Sequence, residues 1–268
     1  MIDIGSQYIA ARNNLLSNTN LLIDLENAYM SFLHQIVSSV SLRISVDFNK
    51  ATELMPFWRN YPPIQRGRLP TGTSIPWSEV GQTTIVSNII RALSYGNPEI
   101  TYPGLPSGAD LRFLTDDALI HFDIKITGPN DRPDEVVASP NQISGNGIRW
   151  EQGVINSPVI ITGARARMIF QPELPPLYII QGKVIPCLTF FLKGVYDVKT
   201  LGYQPLVKLE LICVPNGLLT FENPLYIKNQ GLFIPGKDVK GHLKKRVRVR
   251  MTPLESIASW RRITVWQL

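Results

Sequence analysis

Apolar residues along this chain recur in two rhythms, and the switch between them predicts most of its elements. From Tyr8 to about Leu42 they return at three- and four-residue steps, the period of a helix with one buried side. Leu21, Leu22, Leu25, Ala28, Tyr29, Phe32 and Ile36 mark the stripe, and Asn18-Thr19-Asn20 parts the run into two helices. A second helical run opens at Trp77-Ser78-Glu79 after Pro76 and reaches about Tyr95, with Val80, Thr84, Ile85, Ile89 and Leu93 on its inner side. The strand rhythm begins at Gly108. Two mostly apolar limbs between Gly108 and Lys125 flank Asp116-Asp117, which predicts a β-hairpin with that acidic pair as its loop. Leu177 to Ile180, Val184 to Phe191 and Val207 to Val214 read as buried strands. Lys244 to Met251 alternates as a strand does, with Lys244, Arg246, Arg248 and Arg250 on one face and Lys245, Val247, Val249 and Met251 on the other.

The remaining stretches read as connections. From Met55 to Pro76 arginines and aromatics sit on a proline-stiffened loop that includes Arg66 and Arg68, either a plain surface connection or an arm that reaches phosphates. Residues 127–147 carry Gly128-Pro129-Asn130-Asp131, Ser139-Pro140-Asn141-Gln142 and Ser144-Gly145-Asn146-Gly147. These are turn formers, and the connection is too long to serve only as linkage in a compact domain.

Composition adds bounds to this pattern. A chain of 268 residues, 44% hydrophobic and 18% charged, buries a full core and is not disordered. It is expected to form one domain over residues 1–268, with helices in 1–50, the hairpin in 105–126 and a basic segment in 235–251. Cys187 and Cys213 lie in apolar runs with no metal-ligand spacing around them, so they read as buried hydrophobes of a reducing cytosol. The start, Met1-Ile2-Asp3-Ile4, lacks a basic, then apolar leader, and no run of apolar residues is long enough to span a bilayer. A soluble, intracellular protein is expected.

Charge is distributed unevenly. Of 27 basic and 21 acidic residues, seven basic ones and one acid fall between Lys237 and Arg250, which leaves 20 of each elsewhere. A localised basic stripe is the footprint of a polyanion site. Arg also matches the O6/N7 edge of guanine, so Arg246 and Arg248 are candidate base readers.

Candidate chemistry comes from the hairpin register. With Asp116-Asp117 as the loop, Thr115 pairs with Ala118, and stepping outward sets Asp110 opposite Asp123 on one face. Lys125 shares the face of Asp123, while Phe122 and Ile124 point into a core. Opposed carboxylates destabilise a strand pair unless a cation compensates. All-oxygen ligands suit magnesium, and Lys125 could then steady an attacking water or a phosphate charge. Glu79 sits in a first helical turn, where the helix dipole stabilises an acid whether or not it belongs to a site.

The runs Pro56-Phe57-Trp58, Asn60-Tyr61-Pro62-Pro63, Ile75-Pro76-Trp77, Phe122-Asp123-Ile124-Lys125, Ser139-Pro140-Asn141-Gln142, Val214-Pro215-Asn216-Gly217-Leu218, Pro235-Gly236-Lys237-Asp238 and Lys245-Arg246-Val247-Arg248-Val249 resemble, in order, type II restriction endonucleases of the BglI kind. The likeness spans about Met55 to Val249. It implies a restriction-endonuclease-like α/β fold of the PD-(D/E)xK superfamily, EcoRV-like branch, with a central mixed β-sheet flanked by helices. It also implies magnesium-dependent homodimers that cut double-stranded DNA at an interrupted palindrome with GC-rich ends, such as GCCNNNNNGGC, and leave 3′ overhangs. No membrane and no nucleotide cofactor are implied, and the setting is a prokaryotic cytoplasm.

Carried over by position, the resemblance makes Asp110, Asp123 and Lys125 catalytic. It gives the metal to Asp110, Asp123 and Ile124 with Glu79 nearby, and the DNA to Asp131, Lys237, Asp238, Arg246, Arg248, Arg66 and Arg68. Ala109 stands where a proline is usual, a position that carries no chemistry. Val239 stands where an acid follows the Lys-Asp pair, and from its loss a degenerate site such as GCNNNNNNNGC is also implied. A DNA-binding protein without nuclease activity and a structure-directed repair nuclease are the alternatives.

Overall fold

The structure is a computed structural model that describes residues 3–54, 77–96, 100–104, 108–150, 154–164, 167–200, 203–223, 226, 231–236 and 245–268. Helix α1 (Ile4–Ser17) starts at Asp3, whose carboxylate accepts from the backbone N–H groups of Gly5 and Ser6. After Asn18 the chain enters α2 (Thr19–Glu53), so the predicted break falls where the polar cluster set it. The expected end near Leu42 is corrected: Ile44, Ser45, Phe48 and Thr52 continue the buried side for three more turns.

The stripe on α2 is corrected as well. Leu22, Met30, Leu33 and Val37 are fully buried, Leu25, Tyr29, Phe32 and Ile36 flank them, and Leu21 and Ala28 face solvent. Two apolar residues occur at most steps, so two stripes one position apart fit the pattern. The buried one runs through Glu26, a fully buried carboxylate that no apolar count would include.

Helix α3 (Trp77–Gly96) is as expected, with Val80, Ile85, Ile89 and Leu93 buried; Thr84 is half-buried. It lies close on the sheet because Gly81 has no side chain. A Cβ there would come within 2.1 Å of the Ile126 side chain.

The main sheet has six strands. Its path is β1 (Leu111–Leu114), β2 (Leu119–Thr127), β7 (Lys183–Tyr196), β8 (Leu206–Val214) and β11 (Arg262–Gln267), with β6 (Leu177–Ile180) paired to the start of β7. β2 and β7 run parallel and all other pairs antiparallel, so the sheet is mixed and helices flank it, as the resemblance implies. β7 extends past the expected Phe191 to Tyr196, and β8 starts at Leu206. A near-continuous buried run fits β7 because both its faces are covered. Phe122, Ile124, Phe190 and Leu192 pack under α2 and α3, while Phe191, Ile212 and Val214 face a second cluster.

That second cluster is roofed by a small sheet, β3 (Glu135–Ala138), β10 (Val247–Arg250) and β9 (Phe233–Pro235), and by the hairpin β4 (Val159–Thr162) and β5 (Arg167–Phe170). The basic strand is therefore shorter than expected. It spans Val247–Arg250, and Met251 opens helix α5 (Met251–Ile257) while remaining buried. A short helix α4 (Gly217–Glu222) follows β8. Among the described residues no helix is long and apolar enough to cross a membrane. Cys187 and Cys213 are both buried and unpaired.

Candidate active site

The hairpin forms in the expected register. Leu114 pairs with Leu119 and Leu111 with Phe122, and the Thr115 N–H donates to the Ala118 carbonyl at 3.0 Å across the Asp116-Asp117 loop. The loop is held to α2 by the Tyr29 hydroxyl, which bonds Thr115 and Asp117. One step beyond β1, Asp110 comes opposite Asp123, and its Oδ2 accepts from the Ile124 N–H at 2.7 Å. Phe122 and Ile124 point into the core, so Asp123 and Lys125 share the other face. The Lys125 ammonium lies 2.6 Å from the Asp123 Oδ2 and 5.2 Å from the centre of the Phe191 ring on β7.

This face is the floor of a cleft of about 630 Å³ lined by Asp110, Asp123, Ile124, Lys125, Arg246 and Arg248, among others. Asp123 is almost wholly buried. Burial first, and the neighbouring Asp110 carboxylate second, raise its pKa to about 6 against the opposing pull of Lys125. The three residues to which the resemblance gives most of the metal, Asp110, Asp123 and Ile124, all line this cleft, and among the described residues no three His, Cys, Asp or Glu side chains gather as a metal cage. A hard dication that keeps several waters fits such a partial shell, and magnesium is of that kind.

The long connection after β2 supplies a residue that sequence reasoning missed. Gln142 ends a 3-10 turn (Pro140–Gln142) and touches both members of the Asp123–Lys125 pair. Its Nε2 donates to Asp123 Oδ1 at 2.7 Å and to the Gly108 carbonyl at 3.0 Å. Its Oε1 accepts from Lys125 Nζ at 3.0 Å and from the Ser139 N–H at 3.0 Å. A backbone N–H can only donate and a carbonyl can only accept, so these two groups fix which way the amide faces. The Ser-x-x-Gln spacing of Ser139 and Gln142 is a capping-box signature and was the available signal. Gly108 fits here with a φ of +124°, where a Cβ would lie 2.7 Å from the Asn141 carbonyl oxygen.

The predicted DNA-facing residues divide. Arg246 and Arg248 are half-buried and line the cleft. The Gly236 N–H donates to the Arg246 carbonyl at 2.9 Å, and Arg248 Nη1 donates to Glu135 Oε2 at 3.0 Å. Arg250 is not among the cleft-lining residues. Asp131 also lines the cleft, but one of its oxygens closes a turn by accepting from the Gly128 N–H at 2.7 Å. Arg66, Arg68, Lys237, Asp238, Val239 and Lys244 lie outside the described residues, as does the side chain of Glu79.

A further unpredicted contact ties the two sheets together. Lys193 on β7, next in register to Lys125, is fully buried. Its ammonium donates to the carbonyls of Pro133, Glu135 and Arg132 at 2.6, 3.1 and 3.2 Å. A lone lysine inside the apolar run Phe190-Phe191-Leu192-Lys193 was the signal for it.

Comparison with known proteins places the whole chain in one family. The family model described as "Restriction endonuclease BglI" matches residues 3–265. The type II restriction enzyme BglI of Bacillus subtilis is 38% identical, over 95% of this chain and 94% of its own length. The crystal structure of BglI bound to its DNA recognition sequence superposes with a TM-score of 0.85 at 36% identity, covering 98% of each chain. Tetrameric SfiI bound to cognate DNA shares the fold alone, with a TM-score of 0.64 at 14% identity over 91% of this chain and 84% of that one. The chain belongs to the BglI family of type II restriction endonucleases.

Proposed function

We propose that this enzyme cuts both strands of DNA at an interrupted palindrome with GC-rich ends, GCCNNNNNGGC or a degenerate relative such as GCNNNNNNNGC, and leaves 3′ overhangs. The observation that carries this reading is the convergence of Asp110, Asp123 and Lys125 on the floor of a cleft whose wall bears Arg246 and Arg248. The site is of the PD-(D/E)xK kind with Ala109 in place of the proline. Asp110, Asp123 and the Ile124 carbonyl would hold magnesium, and Glu79 is a further candidate for it by resemblance.

In this reading a water oxygen attacks phosphorus, the bond to the leaving sugar oxygen breaks, and that oxygen takes a proton. Bound magnesium supplies positive charge against the phosphate and lowers the pKa of a coordinated water. Lys125 orients the attacking water, and Gln142 holds Lys125 and Asp123 at a fixed separation. Arg246 and Arg248 read guanines, while Asp131, Lys237, Asp238, Arg66 and Arg68 complete the DNA contacts. A two-fold symmetric site is matched by a homodimer with one active site per subunit. We infer that the whole chain acts as one domain in a prokaryotic cytoplasm.

Digestion of a long DNA with magnesium should give discrete fragments whose sequenced ends share a GC-flanked split palindrome. Retarded but intact DNA, or cuts confined to branched junctions, would overturn the proposal. Gln142→Met keeps the side-chain length and removes every hydrogen bond. Single-turnover cleavage should slow about 100-fold, the scale of a small misplacement of reacting groups. Binding to the same duplex in calcium should stay within about threefold of the parent enzyme, because no DNA contact is assigned to Gln142.

A further inference from the structure

We propose that Glu135 is a specificity-determining residue that holds Arg248 so that a single edge of its guanidinium faces the bases. The inference rests on the reading of Arg248 as a guanine contact. A guanidinium can meet guanine O6 and N7 in two ways, through its Nη1–Nη2 end or through its Nε–Nη2 side. Glu135 Oε2 accepts from Arg248 Nη1 at 3.0 Å, which occupies one of the two N–H groups there and anchors that corner of the guanidinium. Arg248 Nε and Nη2 have no partner among the described residues, so the side edge is the one with both its nitrogens open to a base.

The buttress is itself fixed on every side. In the ladder Glu135 pairs with Arg250, two register positions from Arg248 on the same face of β10, so its side chain only has to lean along the strand. The other carboxylate oxygen accepts from Arg132 Nη1 at 3.0 Å. The Glu135 side chain is 10% exposed and that of Arg248 24%, which shields the pair from solvent far more than a surface ion pair is shielded. The Glu135 backbone is pinned in turn, since its carbonyl is one of the three around the Lys193 ammonium. Arg248 is thereby positioned from the central sheet rather than from its own short strand.

The sign of the charge is informative. A carboxylate in a cleft that receives a polyanion weakens attraction to every phosphate equally, whatever the sequence. Its contribution can only lie in discrimination, by fixing the reader and lowering affinity for wrong sites. Glu135 therefore separates two quantities that damage to the fold would lower together.

The test is equilibrium binding in calcium, without cleavage, to the duplex that the parent enzyme cuts, to the same duplex with each guanine of the half-site replaced in turn, and to an unrelated duplex. Glu135→Ala should bind the unrelated duplex more tightly and lose about tenfold of its discrimination at one guanine position, the scale of one bidentate contact. Glu135→Asp retains the charge but draws it back by one methylene. It should lose several-fold of discrimination at the same position with unchanged affinity for the unrelated duplex, and it serves as the test if the alanine variant does not fold. Parent-like discrimination in the aspartate variant overturns the proposal, as does equal weakening on every duplex. Arg248→Ala is the control that separates the two claims. If it leaves discrimination at all guanines unchanged, the reading of Arg248 fails; if it abolishes discrimination at one position while both Glu135 variants retain it, only the buttress fails.

Discussion

Asp123→Asn is expected to abolish DNA cleavage and at the same time to make the metal-free protein harder to melt. On the proposed reading, loss of a charged oxygen that holds the metal should cost at least on the order of 1,000-fold in rate. The gain in stability follows from where the carboxylate sits. Burial and the opposing Asp110 raise its pKa to about 6, whereas an unfolded Asp titrates near 4. Between those values the native state retains a proton that the unfolded chain releases, so stability falls as pH rises through that window, and the full cost stands above pH 6. Asn carries no charge and still offers an oxygen to Gln142 Nε2, now 2.7 Å from Asp123 Oδ1. Melting in chelator at pH 8 should therefore show a Tm several degrees above the parent, with the gap closing as pH is lowered towards 4. Equal melting temperatures at pH 8 would mean that Lys125 already balances the site.

Glu26→Ala should be the most damaging single change outside the cleft, costing about 3–5 kcal/mol of stability. Glu26 on α2 and Arg261 near the C-terminus are both fully buried, and Oε2 accepts from Nη2 at 2.6 Å. The other oxygen accepts from the Asn216 N–H at 2.6 Å. Arg261 also donates to the Tyr226 hydroxyl at 3.1 Å and lies 4.3 Å from the centre of the Trp260 ring. Truncating Glu26 leaves that guanidinium with a buried charge and no anion, and orphans a backbone donor. Urea unfolding should show the lower midpoint. The double variant Glu26→Leu with Arg261→Met should recover much of the loss, because an apolar pair of similar volume needs no desolvation of charge.

Sequence pattern exposed the face that bears Asp110, Asp123 and Lys125 more fully than the rest of the fold. The register of the hairpin follows from one loop and strict alternation, and no bulge intervenes between Leu114 and Leu111 to shift it. The buried strands β7 and β8 were visible as apolar runs because both their faces are covered. Where polar residues are buried, the pattern misleads. Glu26 displaced the stripe on α2 by one position, and Lys193 looked like an interruption of β7 when it is the pin between two sheets. β3, β9 and β11 escaped notice because they are short or carry mixed faces, and their partners lie far away in the chain. Gln142 and Glu135 act through contacts across 19 and 113 positions, to Asp123 and Arg248 respectively, which no local periodicity encodes.

The three carbonyls gathered around Lys193 have a consequence for redesign. They fasten the chain that carries Glu135 to the strand beside Lys125, so the span from the Asp123–Lys125 face to the Arg248 side chain acts as a ruler of fixed length. On the proposed reading, exchanging side chains on β10 would give new target sequences cut at the old offset. Moving the cut itself would require refashioning the clasp.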